Sequence, residues 1–337
     1  MARSFLPSSA LLWITFIALA FIWGSSFLFI KIGLEEGLAP LTLVSYRLGI
    51  ATLFLVAVLR LSNGRLPEGR AELARLGFLG IINIVIPFAL ITWGELHISS
   101  ALASILNGLV PLFTIVLASL ALRDEPITLN RLGGLLIGFA GAVLLLSPGL
   151  TAEPVTGDQL LLAGELALVA ASLSYAVSAV YIRRFISGRR LVVDPVTGPR
   201  TLTPVESALP QSIVGLVVIV ASALVFERPS SGALLALPPT GAAWFAVSWL
   251  GILGSGVAYL LFFRIISAWD ATRAALVTYV MPIVGIALGV AVLGERLHVA
   301  ELLGAALVIG GLVLANSRIG QRRLFGRTSA PASAHSD

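Results

Sequence analysis

The sequence predicts an all-α integral membrane protein with ten transmembrane helices, arranged as two inverted five-helix repeats with both termini in the cytoplasm. Composition, apolar run length and an internal duplication lead to this fold class. Of the 337 residues, 58% are hydrophobic and only 12% are charged, and the mean hydropathy is +1.00. Soluble domains carry about 25% charged residues, so this chain has too few charges to cover a globular surface.

Apolar runs long enough to cross about 30 Å of hydrocarbon recur along the chain. They lack the period-two alternation of barrel strands, and in lipid only helices or closed barrels satisfy their backbone. The first run is too long for a signal peptide and is predicted to be the first span. The ten predicted spans are 11–31, 40–60, 76–94, 99–122, 131–148, 163–184, 206–226, 241–264, 271–293 and 299–317.

One sequence pattern occurs twice as an internal repeat: an apolar run with a central proline, an acidic turn and a glycine-rich run. Residues 99–130 align with 271–298, so that Pro111 falls on Pro282, Glu125 on Glu295 and Gly134 on Gly304. Five spans per copy is an odd number, so the second copy enters the membrane in the opposite orientation. Inverted repeats are typical of transporters with a site near the midplane.

The basic residues predict the orientation, because they collect in alternate loops and leave few cations outside. The predicted organisation is a cytoplasmic N-terminus at 1–10, a first repeat at 11–148, an outer loop at 149–162, a second repeat at 163–317 with a cytoplasmic linker loop at 185–205, and a disordered cytoplasmic tail at 318–337. The pI near 10.2 reflects these loops, and we expect no nucleic-acid binding.

Several motifs together resemble the EamA family of the drug/metabolite transporter superfamily. They are WGSSF at 23–27, Pro40 followed by Arg47 in span 2, the two proline-containing spans with acidic turns, and GELAL at 164–168. The resemblance covers about 11–317. It implies ten helices, a central cavity built from both repeats, and export or exchange of small metabolites. The chain departs from the family at Tyr175, where tryptophan is common.

The candidate substrate-binding residues are neutral polar or aromatic side chains within the predicted spans. Aromatic walls with a few polar groups suit a small organic substrate. The alternative is that the rings only pack and the asparagines tie helices together. The predicted substrate-binding residues are Trp23, Ser26, Asn83, Trp93, Asn107, Tyr175, Tyr259 and Tyr279.

Two prolines are predicted to help gate the protein. Pro111 and Pro282 each remove a backbone donor and are expected to kink spans 4 and 9, although such kinks can also serve packing alone. Glu95 and Glu165 are predicted near outer helix ends, where a carboxylate reaches water. They are candidates for coupling transport to protons, with an interfacial role as the alternative.

Arg47 lies about 10 Å inside span 2, at 1.5 Å per residue. The sequence favours a side chain that snorkels outward or pairs with Glu35 or Glu36. The alternative is that it attracts an anionic group. The second-half residue that matches it is Gln211.

The predicted function is secondary transport of small metabolites, amino-acid-like or other organic solutes, across the cell membrane by alternating access. The resemblance implies export. Alternatives are a flippase for a lipid or lipid-linked sugar, a membrane-embedded enzyme, or a non-transporting membrane protein. The sequence has no P-loop motif, cysteine or metal-ligand spacing, so we expect no catalytic site, cofactor or metal. The expected partners are the substrate, the bilayer and, in a coupled mechanism, protons, and the expected oligomeric state is a monomer or a homodimer.

Overall fold

The computed structural model describes residues 9–122, 128–151, 159–194, 198–228, 233–269 and 277–317. Most of the N-terminus at 1–10, Glu125 of the first acidic turn, the centre of the outer loop at 149–162, the first residues of span 9 and the tail at 318–337 lie outside these ranges. The predictions for those segments are therefore not compared with structure.

Each predicted span contains one helix or a series of consecutive helical pieces, which we number α1 to α10. Span 4 consists of two α-helical pieces, and spans 3 and 8 each contain a π-helical segment between α-helical ones. The helices are α1 Ser9–Glu35, α2 Pro40–Leu61, α3 Arg70–Gly94, α4a Ser100–Asn107, α4b Val110–Ala121, α5 Leu129–Thr151, α6 Gln159–Phe185, α7 Pro204–Phe226, α8 (Gly241–Ser248, Trp249–Val257 and Ala258–Ala268), α9 Val277–Leu293 and α10 Val299–Asn316.

The helices are long and apolar enough to cross a membrane. Among the described residues, nine helical segments meet that criterion, and α9 is a tenth, shorter apolar helix. Large apolar side chains such as Leu53, Val217 and Phe226 are exposed on the outside of the bundle. This is the arrangement expected when lipid is the solvent. The chain is a multi-pass membrane protein.

Span 4 is interrupted one turn before its proline. Ser99 caps α4a by accepting a hydrogen bond from the Leu102 amide, and the helix ends at Asn107. Gly108 and Leu109 form a turn, and Pro111 then lies in the first turn of α4b. Proline is tolerated in a first helical turn because its missing N–H has no partner there. The predicted kink in span 4 is therefore present, since Pro111 has no N–H to pair with the Asn107 carbonyl, and a gating role for Pro111 stays a prediction.

The linker at 185–205 contains more structure than its composition predicts. Arg190–Asp194 (β1) pairs antiparallel with Gly198–Thr201 (β2). Arg200 then donates from both terminal nitrogens to the Glu206 carboxylate, at 2.7 Å each. Glu206 lies in the first turn of α7 and also accepts from the Thr203 amide as half of a capping box. The linker is thus tied to the start of α7.

The glycine-rich helices α5 and α10 cross at very close range. A Cβ added at Gly134 would lie 2.3 Å from the Gly311 carbonyl oxygen, and one at Gly141 would lie 2.7 Å from the Gly304 carbonyl oxygen. Small residues permit such backbone approach in membranes, where van der Waals packing drives helix association. These glycines therefore serve packing within the chain.

Candidate functional site

Two transmembrane helices contain a π-helical segment. In α3 it spans Ile81–Val85, and in α8 it spans Trp249–Val257. π segments add a residue to a turn, re-aim the side chains on it and are frequent at functional sites. The first segment contains Asn83 and the second contains Gly254 and Ser255, so each one brings polar groups into an otherwise apolar bundle.

The polar side chains around these segments form what we call the central polar cluster. They come from α2, α3, α6, α7 and α8, so both predicted halves contribute. Its charged member and several of its neutral ones are less than one-tenth exposed. The members of the cluster are Arg47, Asn83, Tyr175, Ser178, Gln211, Ser255 and Tyr259.

Arg47 is the only cationic member of the cluster. Its side chain is 5% exposed, its Nε donates to Ser255 Oγ at 2.9 Å, and its guanidinium carbon lies 3.8 Å from the centroid of the Phe88 ring. The prediction that Arg47 snorkels outward or pairs with Glu35 or Glu36 is therefore wrong. Helix α2, which contains Arg47, packs directly against the backbone of the α8 π segment. Gly251 permits this contact, since a Cβ there would lie 2.9 Å from the Arg47 carbonyl oxygen.

An amide network forms the neutral part of the cluster. Asn83 Nδ2 donates to Gln211 Oε1 at 3.0 Å and lies 3.4 Å from the Tyr259 hydroxyl. Ser178 Oγ lies 2.9 Å from Asn83 Oδ1. Gln211 Nε2 donates to the carbonyl oxygen of Ser207 at 2.8 Å. The network joins α3, α6, α7 and α8 through side chains that prefer polar partners when buried.

Two phenols complete the cluster. Tyr175 and Tyr259 lie within electrostatic range of the Arg47 guanidinium, and both side chains are half-buried. Tyr175 also packs against the apolar residues that surround Phe88. The cluster therefore combines one buried cation, several hydroxyl and amide groups, and aromatic surface.

Three other predicted substrate residues lie on α1 and α3. The Ser26 hydroxyl faces the α8 π segment, because a Cβ at Gly254 would lie 3.2 Å from Ser26 Oγ. The Trp23 ring packs against Phe262 with centroids 5.2 Å apart. Trp93 is 38% exposed and its ring contacts His97, 4.8 Å away. Ser26 thus borders the cluster. Trp23 instead packs against Phe262 and Trp93 against His97, and neither partner belongs to the cluster.

Asn107 and Tyr279 have different surroundings. Asn107 ends α4a, and its buried Oδ1 has no hydrogen-bond partner within the described part of the chain. The next residue packs on span 9, since a Cβ at Gly108 would lie 3.3 Å from Pro282 Cγ. The Tyr279 hydroxyl instead accepts from Asn316 Nδ2 in a groove of about 420 Å³ lined by Phe16, Tyr279, Val280, Val313 and Asn316.

Glu95 and Glu165 are not at the water-accessible positions that the sequence predicts. Both side chains are fully buried, and none of their carboxyl oxygens has a hydrogen-bond partner within the described ranges. The glycine before each glutamate lets α3 and α6 touch, since a Cβ at Gly94 would lie 3.0 Å from the Gly164 carbonyl oxygen. Lys31 Nζ donates to the backbone carbonyl oxygen of Glu95, at 2.8 Å, and not to its carboxylate.

The buried carboxyl of Glu95, just beyond the end of α3, predicts a pH-dependent stability. Burial raises its pKa well above the ordinary 4.5; its charged neighbours are Lys31, Glu295 and Arg47. The folded protein therefore binds this proton more tightly than the unfolded chain, and stability falls as pH rises from 4.5 toward the folded pKa. Each pH unit in that window lowers the free energy of unfolding by about 1.4 kcal/mol.

We expect Glu95→Gln to raise the melting temperature at pH 8 and to flatten its decline between pH 5 and pH 8. Thermal unfolding of the purified protein in detergent across this range measures both effects. Glu35→Gln, at an exposed position, is the control and should leave the profile unchanged. A Glu95→Gln profile parallel to that of the wild type would contradict the prediction.

No local sequence pattern singles out Ser178, Gln211 or Ser255 as site residues, and the position of Arg47 near a helix end favours a peripheral role. The predicted duplication contains the missing signal, because it pairs Arg47 with Gln211. A polar side chain at both copies of one position indicates a shared environment. Within the described ranges, no group of three or more potential metal ligands occurs.

Comparison with known proteins identifies the family. The model of the EamA-like transporter family matches this chain twice, over residues 9–147 and 162–317. The chain belongs to the EamA-like transporter family. It is a membrane transporter of small solutes, like the other members of that family.

Individual EamA-family relatives are similar over most of their length. The "Uncharacterized inner membrane transporter YedA" of Escherichia coli K12 is 29% identical over 88% of each chain. The "Probable terminal-alkyne amino-acid exporter" of Streptantibioticus cattleyicolor is 25% identical, over 89% of this chain and 92% of that protein. One crystal structure matches with a TM-score of 0.62 at 19% identity, covering 92% of this chain and 97% of the other. That last likeness concerns the fold alone.

Proposed function

We propose that this EamA-family protein exports small organic solutes, amino-acid-like ones among them, across the plasma membrane by alternating access. Two inverted five-helix repeats move against each other around the central polar cluster, and both termini are cytoplasmic. The observation that carries the proposal is the cluster itself, which is buried, polar and contributed by both halves. Buried polar groups within a membrane are costly and mark substrate pathways by default.

The contacts of Arg47 and Gln211 support the inverted repeat. Arg47 of α2 bonds to the π segment of α8, and its counterpart Gln211 of α7 bonds to the π segment of α3. The two π segments themselves are in matching helices of the two halves. A pseudo-two-fold axis between the halves accounts for both pairs of contacts at once.

The packing of whole helices supports the same relation. The contact of α1 with α9 is matched by that of α6 with α4, and the contact of α2 with α8 is matched by that of α7 with α3. The close crossing of α5 and α10 maps onto itself. The two separate matches of the family model, over residues 9–147 and 162–317, also support the proposed division into two repeats.

Direction, orientation and coupling rest on other observations. The excess of arginine in alternate loops favours cytoplasmic termini. A relative named as an amino-acid exporter favours export and an amino-acid-like solute. The unpartnered carboxyls of Glu95 and Glu165 make them candidates for carrying a coupled proton. The two relatives are named as a transporter and an exporter, so the flippase alternative has no support from them.

Transport by the purified protein in proteoliposomes tests this function. The vesicles are loaded with a mixed pool of labelled amino acids and other small metabolites, with and without a pH gradient. We expect saturable movement of one solute class. Gln211→Leu should lower its initial rate about tenfold, because the substitution leaves the Asn83 amide without its acceptor.

Ile213→Leu is the matched control, since this side chain lies two residues further along α7 on an exposed face. It should transport at the wild-type rate. No movement of any solute, beside a working control transporter, would refute the proposed function. A wild-type rate for Gln211→Leu would remove the central polar cluster from the pathway and leave the function standing.

A further inference from the structure

Arg47 carries a buried positive charge that the protein leaves largely uncompensated. Within the described residues, its Nε is the only guanidinium nitrogen with a hydrogen-bond partner, and no carboxylate lies within ion-pair distance. Glu95 acts on it electrostatically, but Glu95 follows α3 about 10 Å along the helix from Phe88. An unpaired buried cation is energetically unfavourable, so the site is complementary to an anion.

The two terminal nitrogens of the guanidinium, which have no hydrogen-bond partner among the described residues, form the edge that binds carboxylates. Phe88 covers one face and Ser255 occupies the Nε side. The terminal nitrogen Nη2 faces bare backbone, because a Cβ at Gly254 would lie 3.9 Å from Nη2 and 3.2 Å from Ser26 Oγ. The planar fork of the two terminal nitrogens matches the two oxygens of a carboxylate. The glycine keeps the space between the fork and Ser26 free of side chain.

The composition of the site restricts the charge of the ligand. The described members of the central polar cluster supply one cation and otherwise neutral hydroxyl, amide and phenol groups. One guanidinium balances one negative charge, which suits a carboxylate better than a doubly charged phosphate. Phe88, Tyr175 and Tyr259 provide aromatic surface for an apolar body attached to that carboxylate.

We propose that Arg47 binds the carboxylate of the transported solute, so that organic monocarboxylates are the substrate class of this transporter. This inference rests on the proposed function and names the substrate of the same site. The carboxylate takes the Nη1–Nη2 edge, Ser26 lies beside it, and the apolar part of the solute contacts the aromatic side chains.

Binding to the purified full-length protein tests the inference independently of transport. The probes share one body and differ in charge: phenylacetate, phenylacetamide, phenethylammonium and phenyl phosphate. Ligand-induced thermal stabilisation is measured for each across a concentration series. We expect phenylacetate to bind at least about tenfold more tightly than the other three, which corresponds to about 1.4 kcal/mol.

Variants then assign the preference to Arg47. Arg47→Gln should abolish the difference between phenylacetate and phenylacetamide, and Arg47→Lys should keep part of it, because the charge remains but the fork is lost. Arg60→Gln, which removes an exposed arginine from the same helix, should behave as the wild type. If Arg47→Gln does not fold, the wild-type probe series and Arg47→Lys decide.

The outcomes separate this inference from the proposed function. Equal binding of the amide and the carboxylate, or a carboxylate preference that survives Arg47→Gln, overturns the inference. The inference is also overturned if no carboxylate binds while the proteoliposomes transport a neutral or cationic solute. A preparation that binds phenylacetate through Arg47 but moves no solute would instead contradict the proposed function.

Discussion

Gly311→Ala is expected to destabilise the protein severely, whereas Gly310→Ala is not. A Cβ at Gly311 would lie 2.5 Å from the Gly134 carbonyl oxygen and 2.6 Å from the Gly138 amide nitrogen. Both contacts are with the backbone of α5, which cannot move aside as a flexible side chain could. Overpacking of this kind costs about 3 kcal/mol. A Cβ at Gly310 meets nothing within 4 Å.

The two variants make the same chemical change one residue apart in α10. Fluorescence-detected size exclusion after heating measures the folded fraction in detergent. We expect Gly310→Ala to match the wild type and Gly311→Ala to lose its monodisperse peak at a temperature several degrees lower. Equal melting curves would show that α5 and α10 can separate without loss of stability, which the close crossing argues against.

Glu295→Gln is expected to loosen the start of α4a. The Glu295 carboxylate accepts hydrogen bonds from the amides of Ser100, at 2.7 Å, and Ala101, at 2.9 Å. These are charge-assisted bonds at a helix N-terminus, where an anion is favoured. Glutamine has a single acceptor oxygen and turns an NH₂ group toward the second amide. We expect a loss of about 2 kcal/mol.

Hydrogen exchange measures both the position and the size of the effect. The amides of Ser100 and Ala101 should exchange faster in Glu295→Gln, while those of the α5–α10 crossing change little. Arg296→Gln alters the neighbouring exposed residue and is the matched control. Unchanged exchange at the start of α4a would mean that the cap does not hold this helix.

The sequence predicts the helices of this protein well because hydrophobic length is a local property. Turn residues such as Pro40 also mark true helix starts, since proline is pre-organised for the first turn. The interruption in span 4 is also accessible, because Pro111 cannot donate to the Asn107 carbonyl one turn earlier. What the sequence does not contain is the tertiary contact at this point, where a Cβ at Gly108 would lie 3.3 Å from Pro282 Cγ.

The central polar cluster could be predicted only in part. Asn83, Tyr175 and Tyr259 stand out as polar or aromatic residues within apolar spans. The burial of Arg47 depends on the π segment of α8 and on Phe88 of α3, and no local pattern in span 2 contains that information. The burial of Glu95 and Glu165 likewise arises from the contact of Gly94 with Gly164, a tertiary feature.

Spans 4 and 9 occupy matching places in the proposed repeats but differ in shape. α4 is interrupted at Gly108 and Leu109, whereas α9 runs without interruption through Pro282. If the halves exchange conformations during transport, the interruption disappears from one span as it forms in the other. The free energy gained when one span loses its interruption then nearly cancels the free energy needed to form it in the other. The inward-facing and outward-facing states therefore differ little in free energy. A small difference of this kind keeps both states populated, so the cycle is not held in either one.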